Sequence, residues 1–273
     1  MKLKNIALVA MLASSQFGWA QANQINPAAA APVAAPAPAA ATFSASQQKE
    51  IEALVANYLV QNPEILLKAS QALQEKQQKE MQAQAASFIK QNSAQLLNEK
   101  ISVAGSQNPN VTIVEFFDYS CGHCIKMSSV MSELMKSNPN VRVIYREFPI
   151  FGEKSINASK AALAAGLQGK YSPMHEILFA TKNIDDKAIM AAAKKLNLNM
   201  AKFQADMKSQ AVADDLAANR QLAEKMKLFG TPVFIVMSTP NGQANDAVNP
   251  VMIPGSTSLS NLQNVVKMVA EAK

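Results

Sequence analysis

Cysteine is nearly absent from this chain of 273 residues: there are two, Cys121 and Cys124, both inside FFDYSCGHCIKM (116–127). Histidine is equally scarce, with only His123 and His175. These shortages argue against a zinc or copper centre, which needs further ligands, and the motif has no second CxxC. Haem attachment requires a histidine directly after the second cysteine, and position 125 is isoleucine. No apolar run beyond the N-terminus approaches the about 20 residues needed to span a bilayer, so a soluble protein is expected. No block of Arg or Lys is present. The formal net charge of +6 is dispersed among glutamates along helical stretches, the pattern of solvated helix faces rather than of a nucleic-acid surface.

What is present begins with an export signal. Lys2 and Lys4 precede the short apolar run IALVAMLA (6–13), and Ala20-Gln21-Ala22 is an A-x-A cleavage pattern. Residues 1–22 are therefore read as a cleaved signal peptide, placing the protein in the periplasm, soluble or associated with the envelope. Residues 23–43 include PAAAAPVAAPAPAAAT (27–42), a Pro/Ala tether that cannot build a packed core.

Helical signals follow. Ser44 with Gln47 fits a capping box, and Ile51, Leu54, Val55, Tyr58 and Leu59 recur on one face. Asn62-Pro63-Glu64 restarts a helix, whose thin apolar stripe through Leu66, Ala69 and Leu73 resumes at Met81, Ala85, Phe88 and Ile89. Such helices bury little alone, so residues 44–99 are expected to form a self-association arm.

SVAGSQNPN (102–110) reads as a turn-rich boundary, and VTIVEFF (111–117) as a central strand buried on both faces. A helix to about Lys136 and a strand VRVIYREF (141–148) complete a βαβ unit. Residues 153–228 read as a helical insertion, with starts at Ser172-Pro173 and Asn199. Leu222, Met226 and Phe229 mark one apolar face before Gly230. PVFIVM (232–237), VMIP (251–254) and a helix capped by Ser258 close the domain, 100–273. The fold class is α/β.

The cysteine pair makes a poor staple, because closing a loop of about four residues contributes at most ~2 kcal/mol. As a reagent it is well placed. Cys121 falls where a strand ends and a helix begins, and free N–H groups with the helix dipole favour a thiolate there. His123, when protonated, adds positive charge, and Gly122 leaves the approach open. Cys121 is thus expected to be the exposed sulfur that clients attack, and Cys124 the resolving or leaving sulfur. Glu115, a carboxylate inside an apolar strand, is costly unless it has a task such as exchanging protons with Cys124. No cofactor is called for. The competing reading is a non-catalytic copper- or zinc-binding protein using the thiols and the stripe Met127, Met131 and Met135; a core face is the simpler account of that stripe. His175 has no visible partner and reads as a surface or packing residue.

VEFFDYSCGHC with the downstream GTPVF, REFPIFG (146–152) and IPGS (253–256) resembles the thioredoxin-fold DsbA family of periplasmic thiol:disulfide oxidoreductases, over about residues 100–273. YLVQNPEILLKASQAL (58–73) is similar to the N-terminal helical dimerisation segments of one subgroup. The resemblance implies a thioredoxin fold with an inserted helical domain behind that arm. It implies a cis Thr231-Pro232 bond facing the cysteines, a backbone there that pairs with substrate, and Glu115 as the buried acid below the site. It further implies exported protein clients, a membrane redox partner and a homodimer. Gly-His between the cysteines is similar to protein disulfide isomerase, and Thr before the cis proline to DsbC-type isomerases. Both add disulfide reshuffling to disulfide formation.

Overall fold

The computed structural model describes residues 43–272, so the expected signal peptide and nearly all of the Pro/Ala tether lie outside the described residues. The chain falls into two compact units divided between Asn62 and Pro63. The first holds helix α1 (Ala45–Gln61), started by the Ser44–Gln47 capping box: Gln47 N donates to Ser44 Oγ at 3.3 Å, and Ser44 N to Gln47 Oε1 at 2.9 Å. No residue of α1 is buried; Ile51, Leu54, Val55 and Tyr58 all stand in solvent.

The second unit opens with α2 (Glu64–Gln91), so the arm expected over 44–99 is divided differently. The stripe of Leu66, Ala69 and Leu73 is exposed, whereas Ala86 and Ile89 are buried. A break at Asn92 and the short α3 (Ser93–Leu97) bring Leu96 into the core. The C-terminal part of the expected arm is thus part of the domain.

The strands are β1 (Val103–Gly105), β2 (Val111–Phe117), β3 (Val141–Glu147), β4 (Val233–Ser238) and β5 (Val251–Pro254). They form one sheet in the order β1-β3-β2-β4-β5. β2 and β3 are parallel and every other pair is antiparallel. All seven residues of β2 and all six of β4 are buried, which is why these central strands carry apolar runs rather than alternation. β1, inside the expected boundary segment, is the one strand the sequence does not announce.

One sheet face carries α4 (Gly122–Ser137), α10 (Leu259–Glu271) and most of the insertion; Ile113, Phe117, Met127, Met131, Leu134 and Leu262 are among its buried residues. The other face is covered by Ile89 and Leu96 from the N-terminal side and by Leu222, packed with Val114, Phe116 and Ile235. The insertion comprises α5 (Glu153–Gly166), α6 (Tyr171–Ala180), α7 (Asp186–Lys195), α8 (Met200–Asp206) and α9 (Gln210–Lys225). Asn199 and Ser258 cap α8 and α10 as expected. The apolar face drawn through Leu222, Met226 and Phe229 is only partly real. α9 ends at Lys225, Lys227 takes a left-handed turn at φ 55°, and Phe229 is thrown into solvent.

A buried ion pair locks α3 to the sheet. Arg146 Nη1 lies 3.2 Å from Glu99 Oε2, and Nη2 donates to the carbonyls of Gln95 and Leu96 at 2.9 Å each. These are the open carbonyls of a short helix end, satisfied by a guanidinium.

Candidate active site

Cys121 is the N-cap of α4, with extended φ −77° and ψ 118°, and no side chain caps this end. Its N–H donates to Asp118 O at 3.1 Å, closing the turn after β2. Burial by itself raises the Cys121 pKa. The Thr231 side chain, Cys124 and the His123 N–H outweigh burial and bring the thiol below its ordinary value. Cys124, one helical turn deeper, moves the opposite way: burial dominates, and the Cys121 and Glu115 charges add to it. The two sulfurs of one motif are therefore driven apart in acidity by their depth.

Cys121 is more covered than the sequence reading expected of an exposed sulfur, being 4 % exposed against 0 % for Cys124. What opens the site is its neighbours. Gly122 has no atom within 4 Å of where a Cβ would stand, and His123 is exposed. His123 Nδ1 lies 3.0 Å from Ser256 Oγ, so the imidazole is held by the loop after β5.

The Thr231-Pro232 peptide bond is cis. The Cys121 thiol donates to Thr231 O at 3.3 Å, while the Thr231 hydroxyl is buried without a hydrogen-bond partner. On ionisation the sulfur can no longer donate, and that idle hydroxyl is the group able to turn and donate to it.

Glu115 is 2 % exposed, opposite Tyr145 on β3 and Phe234 on β4. Burial pushes its pKa up to about 8, and its charge acts on Cys124. It is a buried, proton-holding acid whose charge, once formed, would act on Cys124.

Two clusters around the cysteines escaped the sequence reading. Asp118 Oδ1 accepts from Ser120 N at 2.6 Å and Ser155 Oγ at 2.7 Å, and Oδ2 accepts from the N–H groups of Ile150 and Phe151 at 2.7 and 3.0 Å. This carboxylate pins the turn before Cys121 to the loop after β3. Beneath it, buried Glu147 accepts from Tyr171 Oη and Ser159 Oγ at 2.7 Å each and from Tyr119 Oη at 3.2 Å. Burial raises the Glu147 pKa to about 8 despite these donors. His175 is buried too, so it is a packing residue, but not a partnerless one. Its Nδ1 is 2.9 Å from Tyr119 Oη, its ring lies against Tyr145 with centroids 4.2 Å apart, and burial pushes its pKa down to about 3.

The methionines of the competing metal reading are committed elsewhere. Met127 and Met131 are buried in the core and Met135 packs against it. Among the described residues no group of three or more His, Cys, Asp or Glu side chains is placed to hold a metal ion.

Residues 112–267 match the DSBA-like thioredoxin domain, and residues 47–80 match the copper resistance protein ScsC N-terminal domain. The crystal structure of BcfH from Salmonella enterica Typhimurium is similar at a TM-score of 0.69 and 32% identity, covering 82% of this chain and 96% of that one. ScsC of Proteus mirabilis in a transitional conformation is similar at a TM-score of 0.58 and 28% identity, covering 84% and 98%. The thiol:disulfide interchange protein DsbA of Bordetella parapertussis is 28% identical over 150 residues, 50% of this chain and 69% of that one. A Na(+)/H(+) antiporter of Salinispora arenicola is 28% identical over 137 residues, 49% of this chain, which spans only 21% of that relative's length. No helix among the described residues is long and apolar enough to cross a membrane. With the match running from β2 through the cysteine pair into the last helix, the chain belongs to the DSBA-like thioredoxin domain family.

Proposed function

We propose that this protein is a periplasmic thiol:disulfide oxidoreductase that forms disulfides in exported proteins and also reshuffles them. The observation that carries this reading is the opposed acidity of the two sulfurs: Cys121 is made acidic and Cys124 is not. Stabilising a thiolate stabilises the reduced dithiol relative to the disulfide, so the Cys121–Cys124 disulfide is a willing oxidant.

In the oxidising direction a client thiolate attacks Cys121 Sγ. The Cys121–Cys124 bond breaks, a client–Cys121 bond forms, and Cys124 leaves as a thiolate that takes up a proton. Glu115, holding its proton near neutral pH, is the proposed donor to Cys124 through water. A second client thiolate then attacks the client sulfur of the mixed disulfide and releases Cys121 as a thiolate. The client loses two electrons, the protein gains two, and a membrane redox partner restores the disulfide. In reshuffling, reduced Cys121 attacks a wrong client disulfide and no net electrons move. Gly122-His123 and Thr231 before Pro232 support that second mode. Thr231 and Pro232 form the proposed substrate-binding edge, beside the Cys121 sulfur.

The A-x-A leader pattern supports export to the periplasm. The exposed stripe of α1 supports self-association, in the first instance a homodimer. Sedimentation at micromolar concentration tests this: a single-chain mass for the intact protein overturns it.

The test of function is equilibration with a glutathione series, followed by refolding of a scrambled-disulfide client. The protein is expected to exchange with glutathione and restore client activity, both abolished by Cys121→Ser. Full exchange in Cys121→Ser overturns the reading.

A further inference from the structure

A cavity of about 260 Å³ between α4 and α6 takes no part in the cysteine chemistry. Ser128, Ser129 and Ser132 line it from α4, and Ser172, His175 and Glu176 from α6. Tyr145, Met135 and Phe179 supply an apolar wall. The volume lies below the roughly 300–1,000 Å³ of drug-sized sites, so it suits a small molecule and not a polypeptide.

The wall is rich in acceptors. Ser128 Oγ donates to Ile125 O at 2.9 Å and Ser129 Oγ to Lys126 O at 3.2 Å, so both hydroxyls have only lone pairs left to offer. Glu176 is the one lining side chain with a formal charge, because burial keeps His175 neutral down to about pH 3. The Glu176 charge reaches the aromatic wall: after burial and the charge of Glu115, it raises the Tyr145 pKa.

His175 contributes the most deeply placed acceptor. It is only 6 % exposed, and its Nδ1 is taken up by Tyr119 Oη at 2.9 Å. Nε2 has no hydrogen-bond partner among the described residues, yet it is not sealed from solvent. With Nδ1 turned to Tyr119, the edge bearing Nε2 is what the ring has left for the cavity it lines. Tyr119 Oη donates to Glu147 Oε1 at 3.2 Å, which leaves it free to accept from Nδ1–H. A donor arriving at Nε2 therefore selects a tautomer that the buried network already accommodates. An unpaired polar edge this deep is costly unless something fills it.

We infer that this cavity binds a small primary amine in its ammonium form, donating to His175 Nε2 within reach of the Glu176 charge and laying a short apolar chain against Tyr145 and Phe179. Such a ligand brings one positive charge and three donors, and ring faces attract its charge. An anion would meet Glu176 with like charge, and a neutral alcohol would leave the carboxylate unpaired. The site shares no residue with the cysteine motif, so the inference stands apart from the exchange reading.

The test is titration of the reduced full chain with n-butylamine at neutral pH, followed by calorimetry and by the imidazole nitrogen shifts of His175, with 1-butanol and butyrate as controls. Butylammonium is expected to saturate a single site about tenfold more tightly than either control, and to shift His175 toward the tautomer with a bare Nε2. Glu176→Gln, a change on an exposed side chain, is expected to weaken binding about threefold to fivefold. His175→Phe keeps a ring, deletes the acceptor and is expected to weaken binding about tenfold. Thiol exchange with glutathione reports whether that buried variant has folded; if it has not, Glu176→Gln and the nitrogen shifts decide the matter. No saturable site, equal affinity for 1-butanol, or an affinity that Glu176→Gln leaves unchanged overturns the inference, and none of these outcomes touches the exchange reading.

Discussion

The Cys121 thiol donates to the carbonyl oxygen of Thr231 across 3.3 Å, joining the start of α4 to the chain entering β4, 110 positions later. The same threonine keeps a buried hydroxyl with no partner. An unsatisfied buried hydroxyl costs about 1–3 kcal/mol, and a thiolate beside it removes that cost. Thr231→Val keeps the shape and deletes the donor. The Cys121 pKa is expected to rise, and the glutathione equilibrium to move on the order of threefold to tenfold toward the disulfide. An unchanged equilibrium would take Thr231 out of the electrostatics.

Glu115 gives a pH dependence with a definite sign. Burial lifts its folded-state pKa from the ordinary 4.5 to about 8. Between those values the native protein binds a proton that the unfolded chain has released, so Glu115 lowers stability progressively as pH rises through the window. Glu115→Gln keeps the neutral shape and cannot ionise. Near pH 8 the variant is expected to be more stable than the parent by up to about 4 kcal/mol, with the difference vanishing near pH 4. Urea unfolding at several pH values checks this; a variant that is less stable at pH 8 contradicts it.

Arg146 carries a prediction about the domain alone. Its guanidinium pairs with buried Glu99 and caps the carbonyls of Gln95 and Leu96. Arg146→Ala leaves a buried carboxylate and open helix carbonyls behind, and is expected to cost about 3–5 kcal/mol in unfolding free energy. Arg220→Ala, which breaks an exposed i,i+4 pair, serves as the control and is expected to cost under about 1 kcal/mol.

Most of the fold was legible because local signals agreed with burial. VTIVEFF and VMIP are strands over the residues expected, and Ser44, Asn199 and Ser258 cap the helices they were read to cap. β1 was not legible, since its three residues are a strand only through their pairing with β3. Phe229 fits a helical apolar face by spacing alone, and the left-handed turn at Lys227 removes it from that face. Within the site, Cys121, Cys124 and Glu115 announce themselves by type and position. Asp118 does not, although it lies in the same motif, because three of its four donors, from Ile150, Phe151 and Ser155, arrive more than thirty residues later. Glu147 was hidden for a similar reason: it ends β3 beside Arg146, and its donors come from positions 119, 159 and 171.

The measurement closest to the heart of this account is a pH titration of thiolate absorbance in the reduced protein, repeated on Cys121→Ser. One sulfur is expected to ionise below the ordinary cysteine range and to disappear in the variant, while the other stays protonated well into alkali. Two sulfurs ionising together at the ordinary value, or a low-pH transition that survives Cys121→Ser, would contradict it.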